Sequence, residues 1–266
     1  MIDDKQQILN YIGELLDVVN DLREKCPWDN KQTFESLRTL TIEEMYELSE
    51  SILNQDINDI KKEIGDLLLH LILYSRIASE KEWFSFGDVC KSLIDKLKYR
   101  HPHIYGTIEV SGSEEVEKNW EKLKLKEKDR EHSVLSGVPS SLPSTVKAMR
   151  IQQKARSAGF DWDIREQVWD KVTEELNELK EELSNDKQQI QERIEEEFGD
   201  FLFSIINAGR LYGIDPDTAL ENTNKKFISR FNFMENKVKS ENKKLHELTL
   251  EEMESIWNQA KGNFGE

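Results

Sequence analysis

Apolar residues recur along most of this chain at spacings of three and four. Ile8, Ile12, Leu15, Leu16, Val19 and Leu22 form one such stripe, the mark of a helix with one buried face. Phe34, Leu37, Met45, Leu48 and Ile52 outline a second helical region, with a bend expected near Thr39 to Thr41. Residues 56–79 make a third. Its centre, Leu67 to Leu73, is apolar nearly all round, which predicts the buried central helix of its unit. Ser85-Phe86-Gly87-Asp88 reads as a helix start, and a charged helix over 113–127 closes the first half. Gly137, Pro139 and Pro143 among serines make 133–144 the clearest connector. Helices are expected beyond it near 144–157, 164–185, 187–211, 216–242 and 250–262. Asp215-Pro216 reads as an N-cap followed by Pro at the first helical position, and Thr249-Leu250-Glu251-Glu252 as a capping box. No segment alternates as a strand would, so the predicted class is all-α.

The pattern also repeats. Glu43-Glu44-Met45-Tyr46-Glu47 is followed by Glu63-Ile64-Gly65-Asp66, and about 130 residues later Glu174-Glu175-Leu176-Asn177-Glu178 is followed by Glu197-Phe198-Gly199-Asp200. Trp28-Asp29 and Trp162-Asp163 precede the acids. Lys96/Arg100 and Lys226/Arg230 follow, and Trp120/Lys124 and Trp257/Lys261 end each copy. Features recurring in one order imply two tandem related helical bundles, 1–130 and 146–266, joined by a linker at 131–145.

Charge narrows the function. The formal net charge is −16, which disfavours nucleic acid as a partner but leaves nucleotides open if cations mediate. No apolar run is long enough to cross a bilayer, and the first residues lack the basic start and apolar core of a signal peptide. Cys26 and Cys90, the two cysteines, argue against a disulfide framework and fit a reducing cytoplasm.

On a helix, residues three apart share a face. Glu175 and Glu178 can therefore point inward from one helix, and Glu197 and Asp200 from the next. Four converging carboxylates repel unless a hard divalent cation neutralises them; Mg²⁺ suits oxygen ligands, and Mn²⁺ is a second option. Glu174 can orient or deprotonate a water. Lys171, Arg193, Lys226 and Arg230 can grip phosphates, and Phe160, Trp162 or Trp257 can stack on a base. Gly65 and Gly199 lie inside strong helices, which predicts a close approach of packed helices at those points.

These motifs, with Cys26-Pro27-Trp28-Asp29, Lys96-Leu97-Lys98-Tyr99-Arg100-His101-Pro102-His103, Ser136-Gly137-Val138-Pro139, Gly159-Phe160-Asp161-Trp162 and Trp257-Asn258-Gln259-Ala260-Lys261, resemble the MazG family of the all-α NTP pyrophosphatase group. The resemblance spans nearly the whole chain. It implies Mg²⁺-dependent hydrolysis of NTPs or dNTPs to monophosphate and pyrophosphate, usually by a homodimer. It further implies metal ligation by Glu175, Glu178, Glu197 and Asp200, and nucleotide contacts from Lys226, Arg230 and Trp257, with Lys171, Asn224 and Arg193 nearby. Arg193 stands where a lysine is expected in relatives. Narrower dUTP or phosphoribosyl-ATP pyrophosphatases share the acidic signature, and a non-catalytic metal-binding dimeric regulator is a separate class.

The first half keeps Glu43, Glu44, Glu47, Glu63 and Asp66 but has Leu40, Asp59 and Ile94 where the second has Lys171, Arg193 and Asn224. Fewer cations beside the acids predict weaker triphosphate binding, so the C-terminal half is expected to be the principal catalytic site and Glu44, Glu47, Glu63 and Asp66 a second, weaker one. Competing readings are local: Thr41-x-x-Glu44 also fits a capping box, His70 a satisfied core residue, and His101-Pro102-His103 a loop after a helix rather than zinc.

Overall fold

In the computed structural model, residues 4–112, 133–184 and 190–263 are described, with residues 115, 116, 119, 120 and 123 between them. Among the described residues there are helices and no strands, so the chain is all-α. It divides into two compact units, Met1–Trp120 and Glu121–Glu266.

The first unit is built from α1 (Lys5–Lys25), α2 (Phe34–Asn54), α3 (Ile57–Glu80), α4 (Phe86–Arg100) and the single turn α5 (Pro102–Tyr105). Its core brings Val19 of α1 and Leu37 of α2 against Ile72, Leu73 and Ile77 of α3. Removing a side chain as fully enclosed as Leu37 costs about 2–5 kcal/mol. The expected start at Ser85 is present as a capping box with Asp88. The bend and capping box expected around Thr41 are not. Helix α2 runs through, capped at Thr33 by a reciprocal box with Ser36. The Thr41 hydroxyl instead donates back to Leu37 O at 2.9 Å and lies 3.0 Å from Tyr74 Oη and 3.3 Å from His70 Nδ1. Its hydrogen-bonding capacity is thus satisfied inside the helix rather than at its end. His70 is buried, and burial pushes its pKa down.

Two packing expectations also change. Helix α3 is not buried all round: His70, Ile72 and Leu73 face the core, while Ile64, Leu68 and Leu71 are exposed. Nor does a neighbour press on the helical glycines, since a Cβ placed at Gly65 or at Gly199 would meet nothing within 4 Å. Both glycines border an uncovered face, so no close approach among the described residues requires them. Of the charged helix expected at 113–127, five positions are described and helical; Lys124 lies outside the described residues.

The second unit contains α6 (Ser144–Ser157), α7 (Val168–Ser184), α8 (Gln191–Leu211), α9 (Pro216–Ser240) and α10 (Leu250–Asn263). Val168 and Val172 of α7 pack on Ala208 of α8, with Phe201 and Leu211 beside them. Met234 and Val238 of α9 pack on Ile256 of α10. Asp215 caps α9 by accepting from Thr218 N at 2.8 Å. Thr249 and Glu252 form the expected box at the head of α10. The connecting stretch is not free chain where it is described: Lys154 Nζ donates to Val134 O at 3.2 Å and Ser136 O at 3.3 Å.

Candidate active site

Helices α7 and α8 pack against each other and present acids on facing turns. One carboxylate oxygen from each of Glu175, Glu178 and Glu197 lies within 4.8 Å of the others. Asp200, also on α8, is exposed and lines an adjoining cavity with Glu175. Desolvation, then the charges of Glu178, Asp200 and Glu175, raise the Glu197 pKa above the ordinary glutamate value. The cluster is therefore charge-stressed, as carboxylates held close together must be. Lys171, one turn up α7, relieves part of this. Its ammonium is 2.7 Å from Glu175 Oε1 and 2.9 Å from Glu174 Oε1, and those two bonds hold its pKa well above the usual lysine value. Lys171 thus bonds to the acids themselves and also lines the adjoining cavity.

The first unit repeats the arrangement with different details. Glu44, Glu63 and Asp66 converge within 4.8 Å, while Glu47 stays exposed. Burial first, then Asp66 and Glu47, raise the pKa of Glu44. Glu63 is 3% exposed, and its Oε2 has no hydrogen-bond partner. Lys62, at 2.9 Å from Glu63 Oε1, pulls the Glu63 pKa down. Leu40, by contrast, packs on the apolar core and contributes no charge.

Beside the second acidic cluster lies a cavity of about 670 Å³, reaching from Lys171, Glu175 and Asp200 to Phe160 and Trp162. Local geometry explains the aromatic wall. Helix α6 ends in a left-handed turn at Gly159, φ 91°, and Phe160 N–H donates to Ala155 O at 3.0 Å, a Schellman closure that only glycine adopts without strain. The chain then doubles back, and Arg210 of α8 clamps it by a two-pronged ion pair to Asp161, with Nη1 at 3.2 Å from Oδ2 and Nη2 on Oδ1. Arg156 adds a contact to Asp161 at 3.5 Å. Burial raises the Asp161 pKa, but Arg210, the Trp162 backbone N–H and Arg156 together outweigh it and leave the carboxyl below its ordinary value.

The remaining residues expected at the nucleotide lie elsewhere. Arg193 is exposed, with Nη1 4.0 Å from Glu182 Oε1. Asn224 donates to Glu221 Oε2 at 3.3 Å, and Lys226 is exposed. Trp257 packs on Phe227 with ring centroids 4.9 Å apart. Arg230, half-buried, has an enclosed Nε with no partner. None of these five lines the cavity that Lys171 and Glu175 share. Spacing gave no hint of Arg210, Gln152 or Asn207, which do line it. The one available signal was the Asp161 already present in the Gly159–Trp162 motif, an acid that needs a cation once buried.

Comparison with known proteins identifies the family. The family model for the MazG nucleotide pyrophosphohydrolase domain matches twice, at residues 32–105 and 165–233, so the duplication read from the acids is also a duplication of the domain. A nucleoside triphosphate pyrophosphohydrolase of Escherichia coli K12 is 37% identical over 260 residues, covering 95% of this chain and 98% of its own. A protein of Thermotoga maritima named nucleoside triphosphate pyrophosphohydrolase/pyrophosphatase MazG is 40% identical over 252 residues, covering 94% and 95%. The crystal structure of a MazG-related protein from Thermotoga maritima aligns with 43% of this chain and 99% of its own, at 26% identity and a TM-score of 0.39. On the repeated domain match and the near full-length likeness to these relatives, the chain belongs to the MazG nucleotide pyrophosphohydrolase family.

Proposed function

We propose that the chain hydrolyses nucleoside and deoxynucleoside triphosphates to the monophosphate and pyrophosphate, with its principal site on α7 and α8 of the second unit. The observation carrying this reading is the convergence of Glu175, Glu178 and Glu197 beside a cavity large enough for a nucleotide. The names of the full-length relatives support the same activity.

The donor set fits a hard divalent cation, Mg²⁺ or Mn²⁺: every converging atom is a carboxylate oxygen, and in the first unit the orphaned Glu63 Oε2 is buried within such a set. Glu175, Glu178, Glu197 and Asp200 would hold the ion, and Glu44, Glu47, Glu63 and Asp66 a weaker one. When bound, such an ion supplies positive charge against the triphosphate oxygens and acidifies water. Glu174 stands beside the cluster as the acceptor for a water proton. Lys226, Arg230 and Trp257 would meet the nucleotide, with Lys171, Asn224 and Arg193 nearby; of these six, Lys171 lines the cavity beside the acids. The test is release of pyrophosphate and monophosphate from each NTP and dNTP with Mg²⁺; no product from any of them removes the hydrolase reading.

Metal should also show in stability. Saturating Mg²⁺, at about 100 times Kd, adds roughly 2.7 kcal/mol, or about 5–10 °C in melting temperature. The sign with pH follows from Glu197 and Glu44, whose raised pKa values keep them protonated further up the scale. That contribution to the metal-free fold is present at low pH and is lost as pH rises through the raised values. Protons and Mg²⁺ compete for the same oxygens, so the Mg²⁺ shift in thermal melting should shrink as pH falls toward 4.5, the ordinary glutamate value. A shift that is unchanged over that range would place the ion elsewhere.

A second copy of the chain is the partner we propose. Ile64, Leu68 and Leu71 on α3 and Phe198, Leu202 and Ile205 on α8 are exposed. In each unit they fall at i, i+4 and i+7, one apolar stripe beside the acids. Uncovered stripes of this kind mark association surfaces, and open Gly65 and Gly199 leave room for a facing backbone. Sedimentation at micromolar concentration should give twice the 31.2 kDa chain mass, and Leu202→Glu should shift it toward one. The free thiols of Cys26 and Cys90 suit a reducing cytoplasm, and no helix among the described residues is long and apolar enough to cross a membrane.

A further inference from the structure

The connector that carries Ser136-Gly137-Val138-Pro139 is folded onto helix α6 rather than trailing from it. Two turns shape it. Ser136 N–H donates to Ser133 O at 3.0 Å, and Val138 N–H to Leu135 O at 3.2 Å. Gly137, third in the second turn, has φ 80°, a left-handed value that glycine takes without strain. Two lysines seven apart on α6, and so on one face, hold the connector down. Lys147 Nζ donates to Ser140 O at 2.6 Å. Lys154 Nζ donates to Val134 O at 3.2 Å and Ser136 O at 3.3 Å, the carbonyls on either side of Leu135.

Lys154 is the more telling of the two. It is 3% exposed, and burying an ammonium is costly unless hydrogen bonds replace its water. Two of its donors go to main-chain carbonyls, so what it fixes is the path of the backbone. That path delivers the Leu135 side chain to the cavity beside the acids, where it joins Ile151 and Ala155 of α6 in the lining. Leu135 is 45% exposed, so its own burial does little to keep it there. Lys154 is not part of the lining and reaches the cavity through Leu135 alone.

Resting on the hydrolase reading above, we infer that the connector over 133–138 is a wall of the nucleotide cavity and that Lys154 is the positioning residue that holds this wall in place. An apolar wall adds contact area to whatever fills the cavity and keeps water from that side. It stands apart from the acids, so it acts on how firmly the nucleotide is held and leaves the reacting phosphates alone. Loss of such an interaction raises KM and spares kcat.

The experiment measures hydrogen exchange at 133–138 and steady-state hydrolysis of ATP with Mg²⁺, on the full chain. It compares the wild type with Lys154→Met, Leu135→Ala and the double variant. Methionine keeps the apolar stem and removes the donors. Lys154→Met should speed exchange at 133–138 by about tenfold or more, with α7 and α8 unchanged. It should raise KM about 5- to 20-fold, with kcat within about threefold. Leu135→Ala should raise KM about 3- to 10-fold, and the double variant should match Lys154→Met within about twofold, because both changes break one chain of contacts. Unchanged exchange in Lys154→Met, a loss confined to kcat, or KM effects that multiply in the double variant would overturn the assignment. The exchange arm needs no turnover, which separates the two claims. Faster exchange without pyrophosphate release from any triphosphate keeps the Lys154 clamp and removes the hydrolase; release with unchanged exchange does the reverse. Leu135 is exposed enough to truncate without unfolding the chain, so a wild-type KM in Leu135→Ala overturns the wall even if Lys154→Met fails to fold.

Discussion

Glu175→Ala is expected to lower kcat/KM for nucleoside triphosphate hydrolysis by about 100- to 1,000-fold, measured as pyrophosphate release under saturating Mg²⁺. Glu175 is the carboxylate on which the site converges. It is 7% exposed, lies within 4.8 Å of acids on both helices, and accepts the Lys171 ammonium at 2.7 Å. Losing it removes a proposed metal ligand and leaves Lys171 with Glu174 alone. A bound ion contributes several kcal/mol of charge stabilisation, and each 1.36 kcal/mol is about tenfold in rate. The matched change Glu44→Ala should cost less, about threefold or below, because the first unit has Leu40, Asp59 and Ile94 where the second has the cations Lys171 and Arg193 and the amide Asn224. Circular dichroism melts of both variants control for folding. If Glu44→Ala proved the more damaging, the principal site would belong to the first unit.

Arg210→Met should give the largest loss of stability among single changes near the cavity. The Arg210 side chain is 6% exposed and pairs with Asp161 across 49 residues of sequence. Methionine keeps an apolar stem but strips the charge and the donors. Asp161 would then hold its charge half-buried with the Trp162 backbone N–H and Arg156, at 3.5 Å, in support. Breaking one side of a buried pair costs about 3–5 kcal/mol; Asp161 keeps some contact with water, so about 2–4 kcal/mol is expected. That corresponds to roughly 5–12 °C in melting temperature. The pH dependence gives a second check. Arg210 helps hold Asp161 below its ordinary value of 3.8, so its contribution is present above that pH and fades as pH falls through the depressed pKa. The gap between wild type and variant should therefore narrow in strong acid. A melting change under about 1 °C at neutral pH would show that the clamp carries no stability.

Much of the helical order was legible because its signals are local. Ser85, Asp215 and Thr249 each sit beside the groups they cap, and the i, i+3 spacing of the acids fixes a shared face on any helix. The duplication was equally plain, since it needs only matching order along the chain. Thr41 misled because a hydroxyl three residues before a glutamate looks the same at a helix start and within a helix; the cap at Thr33 decides, together with the carbonyl of Leu37 that Thr41 satisfies. Leu67 to Leu73 misled because a run apolar on all sides does not say which sides are covered within one chain. The cavity was the least legible part. Gln152 meets Phe203 across 51 residues and Arg210 meets Asp161 across 49, and such pairings leave no periodic trace in sequence. Nor does spacing alone show that the Lys171 ammonium bonds to both Glu174 and Glu175.

The duplicated apolar stripe has a consequence for assembly. If two copies associate through these faces, each polypeptide is bivalent. Once one pair of stripes has met, the other pair meets at an effective concentration set by the intervening chain, which for short tethers reaches the millimolar range. Two individually weak contacts then act with avidity, and the pair should persist on dilution well below the point at which either unit alone would come apart.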